Sequence, residues 1–287
     1  MDWLEAMNES IDYMEGHLLD PITPEDVAAH VNISGFYFQN GFKIITGMTI
    51  GSYLRNRRLY LAALDVISGN EKIIDLAFKY GYETPESFTK AFSRFHGCPP
   101  AQLKKSPSKI QIFQPLLIKI SVEGGNNMNY KIEKSEAFKI IGMERIFSYE
   151  NSYTEIPLFW TEYYTKYSET YNKKLGGSCG IWKYGVCIED PAMKSQFAYM
   201  IAGDYHNEEI PEGLKVIEIP AQTWAKFECK GPLPVSLQSV NTRIFHEWLP
   251  GNPKYEIAAG YNIELYTMGD TSSQDYISEI WIPVKKK

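Results

Sequence analysis

Two sets of residues in this sequence have the types and spacing to do chemistry. The first is a polar stripe, Glu86, Ser87, Lys90 and Arg94, set at helical intervals opposite Phe88, Phe92 and Phe95. A short helix with such a stripe can enter a DNA major groove. Glu accepts there from cytosine, and Lys donates to guanine or phosphate. The second is an acid among rings. Glu264 lies between Ile263 and Leu265 late in an apolar strand, and alternation turns it away from both. Trp160, Trp182, Tyr184, Trp224, Tyr261 and Trp281 are candidate walls of a cleft around it. Rings supply cation–π attraction and the acid neutralises charge, so a bulky organic cation suits them. The same alternation also permits a solvent-facing Glu264, and Glu279 is a second candidate acid.

Each set needs elements to hold it. Residues 72–100 read as helix, tight turn and helix. Ile73, Ile74 and Ala77 give the first helix its apolar face, and Gly81 ends it. Thr84 caps the second, and Pro85 takes its first position, where no backbone N–H is needed. This is the pattern of a helix-turn-helix; an ordinary helical hairpin shares the spacing.

Upstream, residues 2–19 form an amphipathic helix with Leu4, Met7, Ile11, Met14 and Leu18 on one face. Thr23-Pro24 starts a helix carrying Val27, Ala28 and Val31. Asn32 turns the chain, and Ser34 caps a third helix with Phe38, Phe42 and Ile45 inward. Phe36, Gln39 and Asn40 would face the groove in this first helix-turn-helix, the amides suiting adenine and Phe36 a thymine methyl. A core place for Phe36 is the alternative. The helix over residues 49–68 buries Leu54, Leu61, Ala62 and Ile67. It offers Arg55, Arg57 and Arg58 as phosphate contacts or solvated charges. It spans about 30 Å, enough to hold two recognition helices about one DNA turn, roughly 34 Å, apart.

Charge is divided to match. The net is −6, but residues 34–109 carry eleven Lys and Arg against five acids, residues 1–33 carry eight acids and no Lys or Arg, and residues 110–287 carry 18 basic groups against 22 acids. Positive charge thus falls on the candidate recognition helices, as phosphate neutralisation requires. The 44% hydrophobic content excludes gross disorder. No apolar run nears the roughly 20 residues of a membrane helix, and no signal peptide is visible. Cys98, Cys179, Cys187 and Cys229 form no C-x-x-C pair and the histidines are scattered, so a disulfide frame, a metal site and a cofactor are not expected. No nucleophile–base pair or phosphate loop stands out, and no catalytic residue is assigned.

Residues 109–127 read as a linker, marked by Pro115 and by Gly124, Gly125, Asn126 and Asn127. Ile112, Leu116, Ile118, Ile120 and Val122 partly alternate within it, which implies a docked extended segment. Residues 128–287 pass twice through strand, helix, strand, strand. Such a unit buries its face poorly alone, so two should join around a shared cleft. Aromatics concentrate here, 25 among 160 residues against 15 in the first 127.

Residues 73–105 resemble the second helix-turn-helix of AraC-type transcription regulators. Leu76-Ala77, Gly81-Tyr82, Ser87-Phe88, Lys90, Phe92, Gly97 and Pro99 stand where that family's pattern requires. The first unit resembles it more loosely, since the family usually has a basic residue at Asn40 and a bulkier one at Gly41. The C-terminal half resembles the GyrI-like effector-binding domain through Phe138 to Gly142, Pro220 to Phe227, Tyr261 to Tyr266 and Glu279 to Val284. The ligand-contacting glutamate of that family carries over to Glu264. The resemblance implies a multidomain chain: an all-α double helix-turn-helix domain at 1–108, a linker at 109–127, and an α+β domain of two strand-helix-strand-strand repeats at 128–287. It further implies a cytoplasmic regulator, not an enzyme, that binds double-stranded DNA and a small aromatic or cationic effector; activation and repression both stay open, and an activator of this architecture could also act by touching RNA polymerase. A GyrI-like hydrolase of small electrophiles, with Glu264 as general base, and a drug-sequestering protein are the other readings.

Overall fold

Side-chain caps set where the N-terminal helices begin. Asp2 and Glu5 form a reciprocal capping box at α1 (Trp3–Gly16), and Thr23 and Asp26 form another at α2 (Pro24–His30). After α3 (Gly35–Thr46), Thr49 caps α4 (Ile50–Ser68). α5 (Ile73–Lys79) ends at Gly81, whose φ of 79° is left-handed. Gly81 N–H bonds Phe78 O at 3.1 Å and Tyr82 N–H bonds Ala77 O at 2.9 Å, a Schellman closure. Thr84 caps α6 (Pro85–His96), and α7 (Pro100–Lys105) follows.

The computed structural model describes residues 2–119, 128–175, 180–190, 192–193 and 195–287. They fall into two units, Met1–Asn32 with Thr46–Lys119, and Ile33–Ile45 with Ile120–Lys287. The division expected at residue 108 would leave α3 with the other N-terminal helices. It belongs to the second unit because Phe36 and Tyr37 are buried among Tyr149, Phe197 and Phe245. Residues 120–127 of the expected linker and Cys179 lie outside the described residues. Among the described residues no helix is long and apolar enough to cross a membrane.

In the first unit, Leu59, Ala62, Ala63 and Val66 of α4 pack with Leu76, Ala77, Phe88, Phe92 and Leu103 in one core. Ile74 is 47% exposed and so is not part of the expected apolar face. The buried positions of α5, Leu76 and Ala77, with the capping Tyr80 just after it, place Ile74 and Phe78 on the other side of a two-turn helix. Arg57 is not a surface charge either. Its guanidinium pairs with Glu15 at 2.7 and 2.8 Å and donates to Phe113 O. Arg58 donates to Leu18 O at 2.6 Å and Asp20 O at 2.8 Å, so both arginines hold α4 to its neighbours. The segment after α7 is docked. His96 accepts from Gln111 N–H at 3.1 Å, and Asn8 makes two 3.0 Å bonds to Ile118.

The second unit is an antiparallel sheet with helices. Its strands are β1 (Tyr130–Ser135), β2 (Phe138–Ser148), β3 (Tyr184–Ile188), β4 (Gln196–Asp204), β5 (Lys215–Ile219), β6 (Gln222–Lys230), β7 (Tyr255–Ile257), β8 (Tyr261–Tyr266) and β9 (Ile277–Lys286). They lie in the order β1-β6-β9-β8-β3-β4-β2-β5, with β7 on β9. The order reads the same from both ends when β1, β2, β3 and β4 are exchanged for β5, β6, β8 and β9. The two sequence passes are therefore related by a pseudo-twofold axis between β3 and β8. Each pass contributes one long helix with a π turn inside it. The first runs through α8 (Ser152–Glu162), Tyr163–Tyr167 and α9 (Ser168–Lys174). The second runs through α10 (Val235–Arg243), Ile244–Trp248 and α11 (Leu249–Gly251).

Candidate effector cavity and DNA-facing helix

Helix α6 separates its faces cleanly. Phe88 and Phe92 are fully buried, whereas Glu86, Ser87, Lys90 and Arg94 are exposed. Ser87 Oγ donates to Thr84 O at 2.8 Å, inside the cap. On α4, Arg55 is exposed and donates to Ser52 Oγ at 3.1 Å. On α3, Gln39 and Asn40 are half-buried, and Phe36 takes the core alternative at 2% exposure.

Strand alternation divides the sheet of the second unit into two faces. Tyr184, Val186, Met200, Trp224, Ile263 and Trp281 form a core on one of them. Gly185, Cys187, Tyr199, Asn262, Glu264 and Tyr266 point the other way. On that side α8, α10 and α3 enclose a cavity of about 680 Å³, within the usual size for a small-molecule site. Glu264 lies in its wall. Tyr199 Oη donates to Glu264 Oε2 at 3.0 Å, Tyr266 Oη donates to the same atom at 2.8 Å, and Trp160 Nε1 donates to Tyr199 Oη at 2.8 Å. Burial raises the Glu264 carboxyl above the usual glutamate range, and the two hydroxyls pull it partly back. Burial also raises Tyr199 and Tyr266, so both stay protonated donors. Among the described residues no Lys, Arg or His pairs with Glu264, so its ionised form has no cationic partner there. Asn262 adds a second acceptor, its Oδ1 buried without a hydrogen-bond partner among the described residues.

Gly185 makes this network possible. It pairs with Glu264 across β3 and β8, and a Cβ there would overlap Tyr199 Oη and lie 2.8 Å from Glu264 Oε2. Gly185→Ala is expected to cost about 1–3 kcal/mol through overpacking and to displace both groups. Thermal melts and ligand titration of this variant check it, and an unchanged melt with unchanged binding would refute it.

Of the expected cavity residues, Glu264, Trp160 and Trp182 line this space. Tyr184, Trp224, Tyr261 and Trp281 do not, because each has the opposite strand parity. Trp224 is fully buried and donates to Ser135 Oγ at 2.9 Å; Tyr184 Oη donates to Asp204 at 2.9 Å. The Trp281 ring already carries Lys226 Nζ at 3.9 Å, and its Nε1 donates to Glu279. Glu279 is thereby committed to that far face. Tyr199, Tyr266 and Asn262 were missed. Tyr266, two residues from Glu264 on one strand, was accessible from parity alone.

Residues 131–284, more than half of the chain, match the family model of Cass2, the integron-associated effector binding protein. The chain belongs to the Cass2 family. Unlike a lone effector domain, this Cass2 member also matches a helix-turn-helix domain model over residues 27–106. That match bears out the AraC-type helical half beside the GyrI-like α+β half. The right origin-binding protein of Escherichia coli (strain K12) is 34% identical over 107 residues, 37% of each chain. The HTH-type transcriptional regulator YbfP of Bacillus subtilis (strain 168) is 35% identical over 100 residues, 35% of this chain and 34% of that one. The alignment with these curated relatives thus spans little more than a third of their length. The solved structure of SAV2435 bound to tetraphenylphosphonium is 25% identical, with a TM-score of 0.48, over 55% of this chain and 94% of that one.

Proposed function

We propose that the chain is a sequence-specific DNA-binding regulator of transcription, working in the cytoplasm, whose second unit binds an aromatic organic cation. One observation supports this reading above the others: a buried acid, held by two tyrosine hydroxyls, lines an aromatic cavity with no cationic side chain beside it among the described residues. The rings of Trp160, Tyr164 and Trp182 offer π faces, and Glu264 supplies the neutralising charge. The DNA-binding part rests on the exposed stripe of α6 and on the helix-turn-helix match. Glu86, Ser87 and Lys90 are its groove-facing residues, with Arg94 and Arg55 on phosphate.

The DNA part is tested with a duplex selected from a random library by the full chain. Lys90→Ala is expected to weaken that duplex by about 1–3 kcal/mol and to relax sequence preference at one position. An equal loss on every sequence would make Lys90 a phosphate contact, and no loss would remove it from the interface. A footprint with RNA polymerase present extends beyond the selected site if the chain recruits the enzyme.

A further inference from the structure

We infer that α3 serves two ligands: its Phe36 and Asn40 complete the effector cavity, and the same face is the one that would read DNA, so effector and operator compete for it. The inference rests on the effector reading above and adds the residues and the sign of the regulation.

Phe36 and Asn40 are four residues apart and share a helix face. Both line the cavity that holds Glu264. Phe36 meets Phe197 edge-on at 5.3 Å between ring centroids and Tyr149 at 6.3 Å. Lys43, three residues on, continues this face, with Nζ 4.4 Å from the centroid of the Tyr153 ring and 3.3 Å from Glu150 O. These positions are where a recognition helix presents side chains to base edges.

The start of the helix is held as well. Ser34, expected to cap α3 with its own oxygen, instead donates its hydroxyl to Glu189. Glu189 Oε1 accepts the Phe36 N–H at 3.2 Å. The carboxylate is tucked against two glycines. A Cβ on Gly35 would lie 2.7 Å from Oε1, and one on Gly260 would overlap the side chain. Glu189 therefore supplies at the α3 N-terminus the negative charge that a DNA phosphate would bring. Tyr37 Oη, donating to Tyr261 O, fastens the next residue.

Presenting Phe36 and Asn40 to a groove means withdrawing them from the cavity and giving up the Glu189 contacts. A ligand touching those two side chains resists the withdrawal. Linkage makes the effect mutual, so bound DNA weakens the ligand by the same factor.

The test uses the full chain, methyltriphenylphosphonium as cavity probe and the duplex selected above. Saturating probe is expected to weaken duplex binding by about 5- to 150-fold, with saturating duplex weakening the probe equally. Bound probe should also slow amide exchange over residues 36–45. Glu189→Ala, with no probe present, should bind the duplex more tightly. Probe that binds saturably without changing duplex affinity, or that tightens it, overturns the competition and leaves the effector reading standing. If no probe binds, the effector reading fails and Glu189→Ala decides: tighter duplex binding supports α3 release, and unchanged binding overturns it. Should that variant misfold, unchanged exchange over 36–45 on adding duplex to the wild type overturns the release of α3.

Discussion

Glu264→Gln is expected to weaken methyltriphenylphosphonium by about 2–4 kcal/mol, roughly 30- to 1,000-fold, while barely changing neutral triphenylphosphine oxide. The amide keeps the shape of the carboxylate and its hydrogen bonds to Tyr199 and Tyr266, whose hydroxyls can rotate. Only the charge is lost. Because no cationic side chain pairs with Glu264 among the described residues, the ligand meets the whole of that charge. The pH dependence follows with a definite sign. Burial raises the carboxyl, so its proton returns at a higher pH than for a free glutamate. Phosphonium affinity should fall as pH drops through that raised value, approaching tenfold per unit, and the Gln variant should titrate flat. Stability runs the opposite way. An acid raised in the fold favours the folded state below the unfolded carboxyl pKa, and that contribution is lost as pH climbs through the folded one. At pH 7 the ligand-free Gln variant should therefore melt higher than the wild type. Equal losses for the cation and the neutral compound would sink the charge-recognition reading. A lower melting temperature would show instead that the carboxylate stabilises the unliganded fold.

What the sequence disclosed depended on the range of the interaction involved. Caps and turns are local, so Thr23, Thr84 and Gly81 announced their helices correctly. That the second half passes twice through strands and a helix was also legible, since each segment has its own period, but each pass has two strands before its helix, β1 and β2 or β5 and β6, where a single strand was expected. Choosing aromatics by type failed where choosing by parity would have worked. Tyr261 and Glu264 cannot share a face of one regular strand, whereas Glu264 and Tyr266 must. Arg57 looked like a surface charge because its partner Glu15 is 42 residues away. The place of α3 was the least legible feature. Its amphipathic pattern is satisfied by any apolar neighbour, and the neighbours of Phe36 are Tyr149, just after β2, and Phe197 of β4, over a hundred residues on.

Phe92→Ala is expected to cost the first unit about 3–5 kcal/mol, a large part of the 5–15 kcal/mol that ordinarily separates folded from unfolded domains. Phe92 is 0% exposed, with Phe88 at 5.5 Å and the His96 ring at 4.4 Å. Its neighbours cannot close the gap readily. His96 is held by Leu59 O and by Gln111 N–H, each at 3.1 Å, and Tyr80 by Asp65 at 2.6 Å. The cavity therefore persists and the loss exceeds the transfer energy of the ring alone. Arg94→Ala, on the exposed face of the same helix, should stay within about 0.5 kcal/mol of wild type. The chain carries its own reporters for this experiment. Five of its six tryptophans lie beyond residue 150, and Trp3 alone lies in the first unit. In a denaturant titration of Phe92→Ala, loss of helical circular dichroism should come first and the main tryptophan change should keep its wild-type midpoint. Phosphonium binding should survive at a denaturant concentration where duplex binding has gone. If both signals moved together by the same amount, the core of α4–α7 would not be an independent unit. The two units would then fold as one cooperative body, and DNA and effector binding would fail at the same denaturant concentration.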